Sequence, residues 1–169
     1  NYSIRTCQEF STLPGQFLFA PVQSITAPVA TPFETRLVDV DNDGRMDLVW
    51  NHRGVTSNQL AFALGQASGT FAAAVVVSHP DTAAEGWGNY GFQSGDFNGD
   101  GKADVAWNHR GALNKTYVAV STGSGWTFAA AQQRPEGGWT PYQWFVLDTD
   151  GDGDDDLVFN QLGATNRTY

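Results

Sequence analysis

Three short apolar runs recur along the chain: "LVW" at 48–50, "VAW" at 105–107 and "LVF" at 157–159. Each reads as a buried β-strand. Behind the first two, the pattern changes to alternation. Leu60, Phe62 and Leu64 alternate in the first copy; Tyr117 with Ala119, or Val118 with Val120, alternate in the second. A Gly-rich turn follows, and a Thr-Phe pair (Thr70-Phe71, Thr127-Phe128) opens another strand. A His79-Pro80 or Arg134-Pro135 step comes next, then an aromatic segment, "EGWGNYGFQSGD" or "GGWTPYQWFVLD". The unit therefore holds about four short strands, the content of one propeller blade. Long helix-period stripes are absent, and no apolar run approaches the ~18 residues of a membrane span.

The unit repeats. An acidic loop precedes each buried run and starts at Asp39, Asp96 and Asp148, in steps of 57 and 52 residues. Such spacing suggests blades or a solenoid. The phase divides the chain into 1–38 (the later part of a blade), 39–95, 96–147 and 148–169 (the start of a further repeat). The expected fold is all-β: β-propeller blades of four-stranded antiparallel sheets, three blade equivalents per chain. Three are fewer than closed propellers have. The chain is then part of a longer propeller, or a homo-oligomer in which another copy completes the ring or adds end to end. Its first residue is Asn1 rather than Met, which suggests a processed product or a piece.

Composition sharpens this picture. The 169 residues suffice for one domain with a real core, and 41% are hydrophobic. The net charge is −9, and 13 of the 18 acidic residues lie in the three loops. That local acidity argues against nucleic acid as a partner. One cysteine, Cys7, excludes an internal disulfide. In the first loop, "DVDNDGRMD", side chains at positions 1, 3, 5 and 9 are Asp39, Asp41, Asp43 and Asp47. Position 6 is glycine, and position 7 offers the backbone carbonyl of Arg45. The second loop offers Asp96, Asn98, Asp100, the Lys102 carbonyl and Asp104; the third offers Asp148, Asp150, Asp152, the Asp154 carbonyl and Asp156. About six oxygen ligands per site suit Ca²⁺ better than zinc or copper. About three ions per chain are expected. Position 12 is Trp50, Trp107 or Phe159 rather than the Glu of an EF-hand, so the ion clips the entry to a strand.

With "DVDNDGRMDLVW", "DFNGDGKADVAW" and "DTDGDGDDDLVF" in hand, the chain resembles the FG-GAP/VCBS repeat family over nearly its whole length. These are the calcium-binding blades of integrin α-subunit propellers and of many secreted microbial proteins, and some fungal members look like lectins. The resemblance implies a propeller, structural calcium and extracellular or cell-surface binding or adhesion.

Other residues suggest a ligand site. "WNHRG" occurs twice, giving Asn51, His52 and Arg53, and Asn108, His109 and Arg110. These side chains could hold a polar ligand or tie neighbouring blades together. Trp87, Tyr90, Trp139 and Tyr142 stand among Gly and Pro. They read as exposed rings for sugars, or as packing between blades. No catalytic arrangement assembles from repeated positions, so the chain is expected not to be an enzyme. The leading expectation is a carbohydrate-binding module with sites between blades, its partners glycans or a surface protein and with no membrane insertion. The rival is a structural or adhesion module, or a filament subunit built by strand sharing.

Overall fold

The three apolar runs form the second strand of three antiparallel sheets. A computed structural model describes residues 2–4, 23–30, 33–54, 57–81, 86–109, 115–133, 142–162 and 167–168. The strands are β1 (Tyr2–Ile4), β2 (Gln23–Ile25), β3 (Phe33–Val38), β4 (Asp47–Arg53), β5 (Asn58–Ala63), β6 (Val75–Ser78) and β7 (Tyr90–Gly95). They continue with β8 (Asp104–His109), β9 (Lys115–Ser121), β10 (Trp126–Phe128), β11 (Gln132–Gln133), β12 (Tyr142–Leu147), β13 (Asp156–Gln161) and β14 (Arg167–Thr168). Among the described residues the one helical piece is a 3-10 turn, Trp87–Asn89. None is long and apolar enough to cross a membrane.

The first complete sheet runs β3-β4-β5-β6. The second runs β7-β8-β9-β10, with β11 also on β9. A third holds β12-β13-β14, and among the described residues β1 and β2 form a two-stranded sheet. Every pairing is antiparallel. This is the expected all-β architecture of four-stranded sheets, consistent with propeller blades. Each sheet starts six residues ahead of its acidic loop, at Phe33, Tyr90 and Tyr142, so the loop is the hairpin between a sheet's first two strands.

The sheets lie face to face, which is why the second strands are apolar on both sides. Leu48 and Trp50 pack with Val29, Ala61 and Ala63. Val49, between them in sequence, points the other way into a twelve-residue cluster shared with the second sheet. That cluster includes Trp87, Tyr90, Val105, Trp107 and Tyr117. Ala106, opposite in phase to Trp107, meets Trp144 and Phe159 of the third sheet. Among the described residues, the larger core cluster therefore sits between the first two sheets. Truncating the fully buried Trp107 to Ala would cost about 3–5 kcal/mol.

Polar ties follow the same geometry. Trp107 Nε1 donates to Asn51 Oδ1 at 2.9 Å, and Asn58 Nδ2 donates to the same oxygen at 2.8 Å. Arg36 donates to the Phe92 carbonyl at 3.0 Å, and Ser121 Oγ to the Val40 carbonyl at 2.7 Å. At the next junction Phe159 stands in the tryptophan position and has no N–H. There the Tyr142 hydroxyl donates to Asn108 Oδ1 and lies 2.9 Å from the His109 carbonyl oxygen.

Candidate metal centres and a cleft between sheets

The acidic loops share one backbone shape. Position 4 is left-handed in each, at Asn42 (φ 59°), Gly99 (φ 67°) and Gly151 (φ 82°). Position 6 is also left-handed, at Gly44, Gly101 and Gly153. Asn and Gly are the residues that tolerate this conformation. Two reversals in three residues fold the loop around its first carboxylate. Asp39 accepts from the N–H groups of Asp43 (3.1 Å) and Gly44 (2.8 Å), and Asp96 from those of Asp100 (3.1 Å) and Gly101 (2.7 Å). Asp148 accepts from Gly151 and Gly153.

The turn brings positions 1, 3 and 5 together. Oxygens of Asp39, Asp41 and Asp43 lie within 4.8 Å of one another, as do those of Asp148, Asp150 and Asp152. In the second loop Asn98 replaces the middle carboxylate and the same turn bonds persist. Position 9 behaves differently from the other expected ligands. Asp47 and Asp104 are fully buried. Asp47 accepts from Val40 N–H (2.7 Å) and Gly65 N–H (2.6 Å), and Asp104 from Phe97 N–H (3.0 Å) and Ser121 N–H (2.7 Å). Each thus brackets its loop to the end of the third strand, and each oxygen keeps a second lone pair. Asp156 accepts from Thr149 N–H.

The electrostatics fit a cation. Burial, against its two backbone donors, pushes the Asp104 carboxyl up to about 6. Burial, then the neighbouring carboxylates, also raises Asp41. Asp47 is raised by burial. At position 7 the first two loops carry counter-charges: Arg45 pairs with Asp43, and Lys102 Nζ lies 2.9 Å from Asp100. The third loop has Asp154 there, raised by desolvation and by Asp152 and Asp96. Hydrogen bonds from Lys102 hold Asp100, and those from Thr149 hold Asp156, below the ordinary carboxylate range; hard oxygens clustered in a tight turn, with Asp41, Asp47 and Asp104 held above it, are a donor set for Ca²⁺. The residues that would hold it are those of positions 1, 3, 5 and 9 and the position-7 carbonyls of Arg45, Lys102 and Asp154.

The loops are also joined to one another. Ala103 N–H donates to the Asp39 carbonyl at 2.7 Å, and Asp155 N–H to the Asp96 carbonyl at 2.6 Å. In both cases position 8 of one loop reaches position 1 of the loop before it. Asp155 adds a second bond, its carboxylate accepting from Asp96 N–H at 2.9 Å.

The expected ligand residues are placed otherwise than their neighbours in sequence suggest. Trp87 and Tyr90 are not exposed: both are fully buried, their rings 4.9 Å apart by centroid and Trp87 covered by His79 at 4.4 Å. Asn51 and Asn108 are also fully buried, as ties between sheets. His109 is buried with its ring 5.1 Å from Tyr90. His52 is half-buried, as is Arg53, which pairs with Glu34 at 2.9 Å. Residues 86–95 lie against the preceding sheet, so the rings of Trp87 and Tyr90 fill the inter-sheet space, while Asn51 and Asn108 stand near the ends of second strands that the following sheet covers. Tyr142 remains half-buried, and Arg110 and Trp139 lie outside the described residues. Tyr142 instead lines a cleft of about 380 Å³ with Gln93, Gln143, Trp144 and Phe145. Sequence reasoning missed Gln93 and Gln143, which stand three and five residues ahead of their loops, where the first repeat has Arg36 and Glu34.

No curated protein matches the chain. The family model described as the FG-GAP-like repeat matches residues 39–107 and again 96–159. Repeats of this family build propeller-type binding or adhesion modules, often bind calcium, are generally non-enzymatic and are typical of extracellular proteins. With acidic hairpins, buried second strands and face-to-face sheets all within the matched stretches, the chain belongs to the FG-GAP-like repeat family.

Proposed function

We propose that the chain is a calcium-ordered extracellular module that binds carbohydrate. The observation that carries this reading is the cleft between the second and third sheets. Gln93 of the second sheet and the rings of Tyr142 and Trp144 of the third face this gap, and Gln143 and Phe145, on the alternate side of β12, complete its lining. Amides offer paired donors and acceptors to sugar hydroxyls, and rings accept sugar C–H faces. None of the five residues belongs to an acidic loop, so the ions would order the sheets without touching the sugar. The acidic charge supports a neutral or basic ligand rather than nucleic acid.

A glycan array probed in calcium, after chelation, and after calcium is returned tests the reading. Hits that vanish on chelation, return with calcium, and weaken at least about tenfold in Gln93→Ala are expected. A blank array from folded, calcium-loaded protein would discard the carbohydrate reading in favour of the structural or adhesion role.

A further inference from the structure

Asn98 and Gly99 form the one Asn-Gly step in the chain; every other asparagine is followed by a residue with a side chain. The step occupies positions 3 and 4 of the second acidic loop. The first and third loops carry Asp41 and Asp150 at position 3, so a side-chain amide stands there in the second loop alone. Asn98 is exposed to water. Gly99 is fixed as glycine twice over. Its φ of 67° favours glycine, and a Cβ added there would collide with Asp154 Oδ1 of the third loop.

The backbone nitrogens of the loops are not equivalent. Gly44, Gly101, Gly151 and Gly153 each follow an aspartate, and each gives its N–H to the position-1 carboxylate of its own loop. The N–H after Asn42, that of Asp43, is held by Asp39 in the same way at 3.1 Å. Among the described residues, Gly99 N–H has no such acceptor. The amide beside it is also polarised: Asn98 Oδ1 accepts from Asp100 N–H at 3.2 Å, a donor that stabilises charge developing on that oxygen.

We propose that Asn98 is a site of self-modification, at which the loop's own backbone converts a neutral ligand of the ion site into a carboxylate. The Gly99 nitrogen attacks Asn98 Cγ. An N–Cγ bond forms, the Cγ–Nδ2 bond breaks, and the proton of Gly99 N–H leaves with the amide nitrogen as ammonia. The five-membered succinimide then takes up water at one of its two carbonyls. Cleavage at N–Cγ restores the ordinary peptide and leaves an aspartate, so the second loop acquires the four carboxylates of the other two. Ligand charge is what tunes such a site. Cleavage at the other carbonyl leaves an isoaspartate, whose backbone is a methylene longer and displaces Asp100 and Asp104 relative to Asp96. Ring closure turns Asn98 about ψ and χ1 and takes Oδ1 out of the cradle. It therefore competes with an ion held at positions 1, 3 and 5, a step that rests on the calcium reading.

The test is to age the 169-residue chain at mildly alkaline pH in calcium and in chelator, and to map its peptides by mass spectrometry. Calorimetry on the unaged chain reads calcium binding separately. In chelator the peptide holding Asn98 is expected to gain the mass of deamidation ahead of every other asparagine, with aspartate and isoaspartate forms resolved by chromatography. In saturating calcium the rate should fall at least about tenfold. Asn98→Asp, already the ordinary-peptide product, should gain no mass there. An Asn98 that stays intact in chelator, or that lags behind Asn42, would overturn the proposal. Equal rates in both buffers from a chain that binds calcium would overturn the competition. A chain that binds no calcium would overturn the calcium reading and leave Asn98 to be judged by its mass gain in chelator.

Discussion

His79 is held neutral by its surroundings, and this has a measurable consequence. Its ring lies 4.4 Å from Trp87, 4.8 Å from Phe128 and 4.9 Å from Tyr117 by centroid. Nδ1 accepts from Asp81 N–H at 3.1 Å, which leaves the proton of the neutral ring on Nε2 among aromatic faces. Burial holds the pKa at about 4, below the ordinary 6.5; Lys115 adds to this and Asp81 opposes it. The unfolded chain protonates near pH 6.5, the folded one only near 4. The stability this residue contributes is complete above pH 6.5 and is lost as pH falls toward 4, by about 2–3 kcal/mol at pH 4.5. His79→Phe keeps the ring contacts and removes the titration. In urea unfolding with saturating calcium, the wild type should lose about that much more than the variant between pH 7 and pH 4.5. Equal losses would mean that the ring titrates as it does in the unfolded chain. The residue types were legible in the sequence, but their exposure was not. Trp87 and Tyr90 sit among glycines, which usually marks a surface loop; only contact with another repeat buries them.

The acidic hairpin is the element whose logic the sequence carried most fully. Positions 1, 3, 5 and 6 announced the turn. The left-handed position 4 was readable as Asn42, Gly99 and Gly151 once the turn was known. The bracketing by Asp47 and Asp104 and the bonds from loop to loop were not, because they join atoms 17 to 64 residues apart. The three hairpins also differ in a way that predicts behaviour. Arg45 and Lys102 neutralise the position-5 carboxylates of their loops, whereas Asp154 adds to the repulsion in the third. Because position 7 offers calcium its carbonyl, Asp154→Lys leaves the donor set intact. The variant should raise the thermal midpoint in chelator by a few degrees. The gain should shrink when calcium supplies the same positive charge, and again when salt screens it. A gain that is equal with and without calcium would show that charge repulsion in this loop is not the cause.

At the scale of the whole chain, the repeat count and the blade-like sheets were legible, because period and strand content are written in the sequence. The unequal division of the core was not, since the three repeats look alike and differ in what packs between them. Among the described residues, twelve buried ones join the first sheet to the second, and Ala106, Trp144 and Phe159 form the buried cluster between the second and the third. In a stacked array each sheet is stabilised by its own pairing and by its nearest neighbour. The third sheet therefore has the lowest local stability unless its loop is anchored. The anchor is the pair of bonds between Asp155 and Asp96, which a bound ion would stiffen at both ends. Ion binding at 100 times its dissociation constant adds about 2.7 kcal/mol to the state that holds it. Chelation should therefore loosen the third sheet first. Native-state hydrogen exchange at high dilution, where contacts between copies are minimal, reads this directly. In chelator the amides of β12 and β13 should exchange at a lower opening free energy than those of β4 and β8; in calcium the gap should narrow. Uniform protection across all three sheets in chelator would instead mean that the small second cluster suffices to bind them into one cooperative unit.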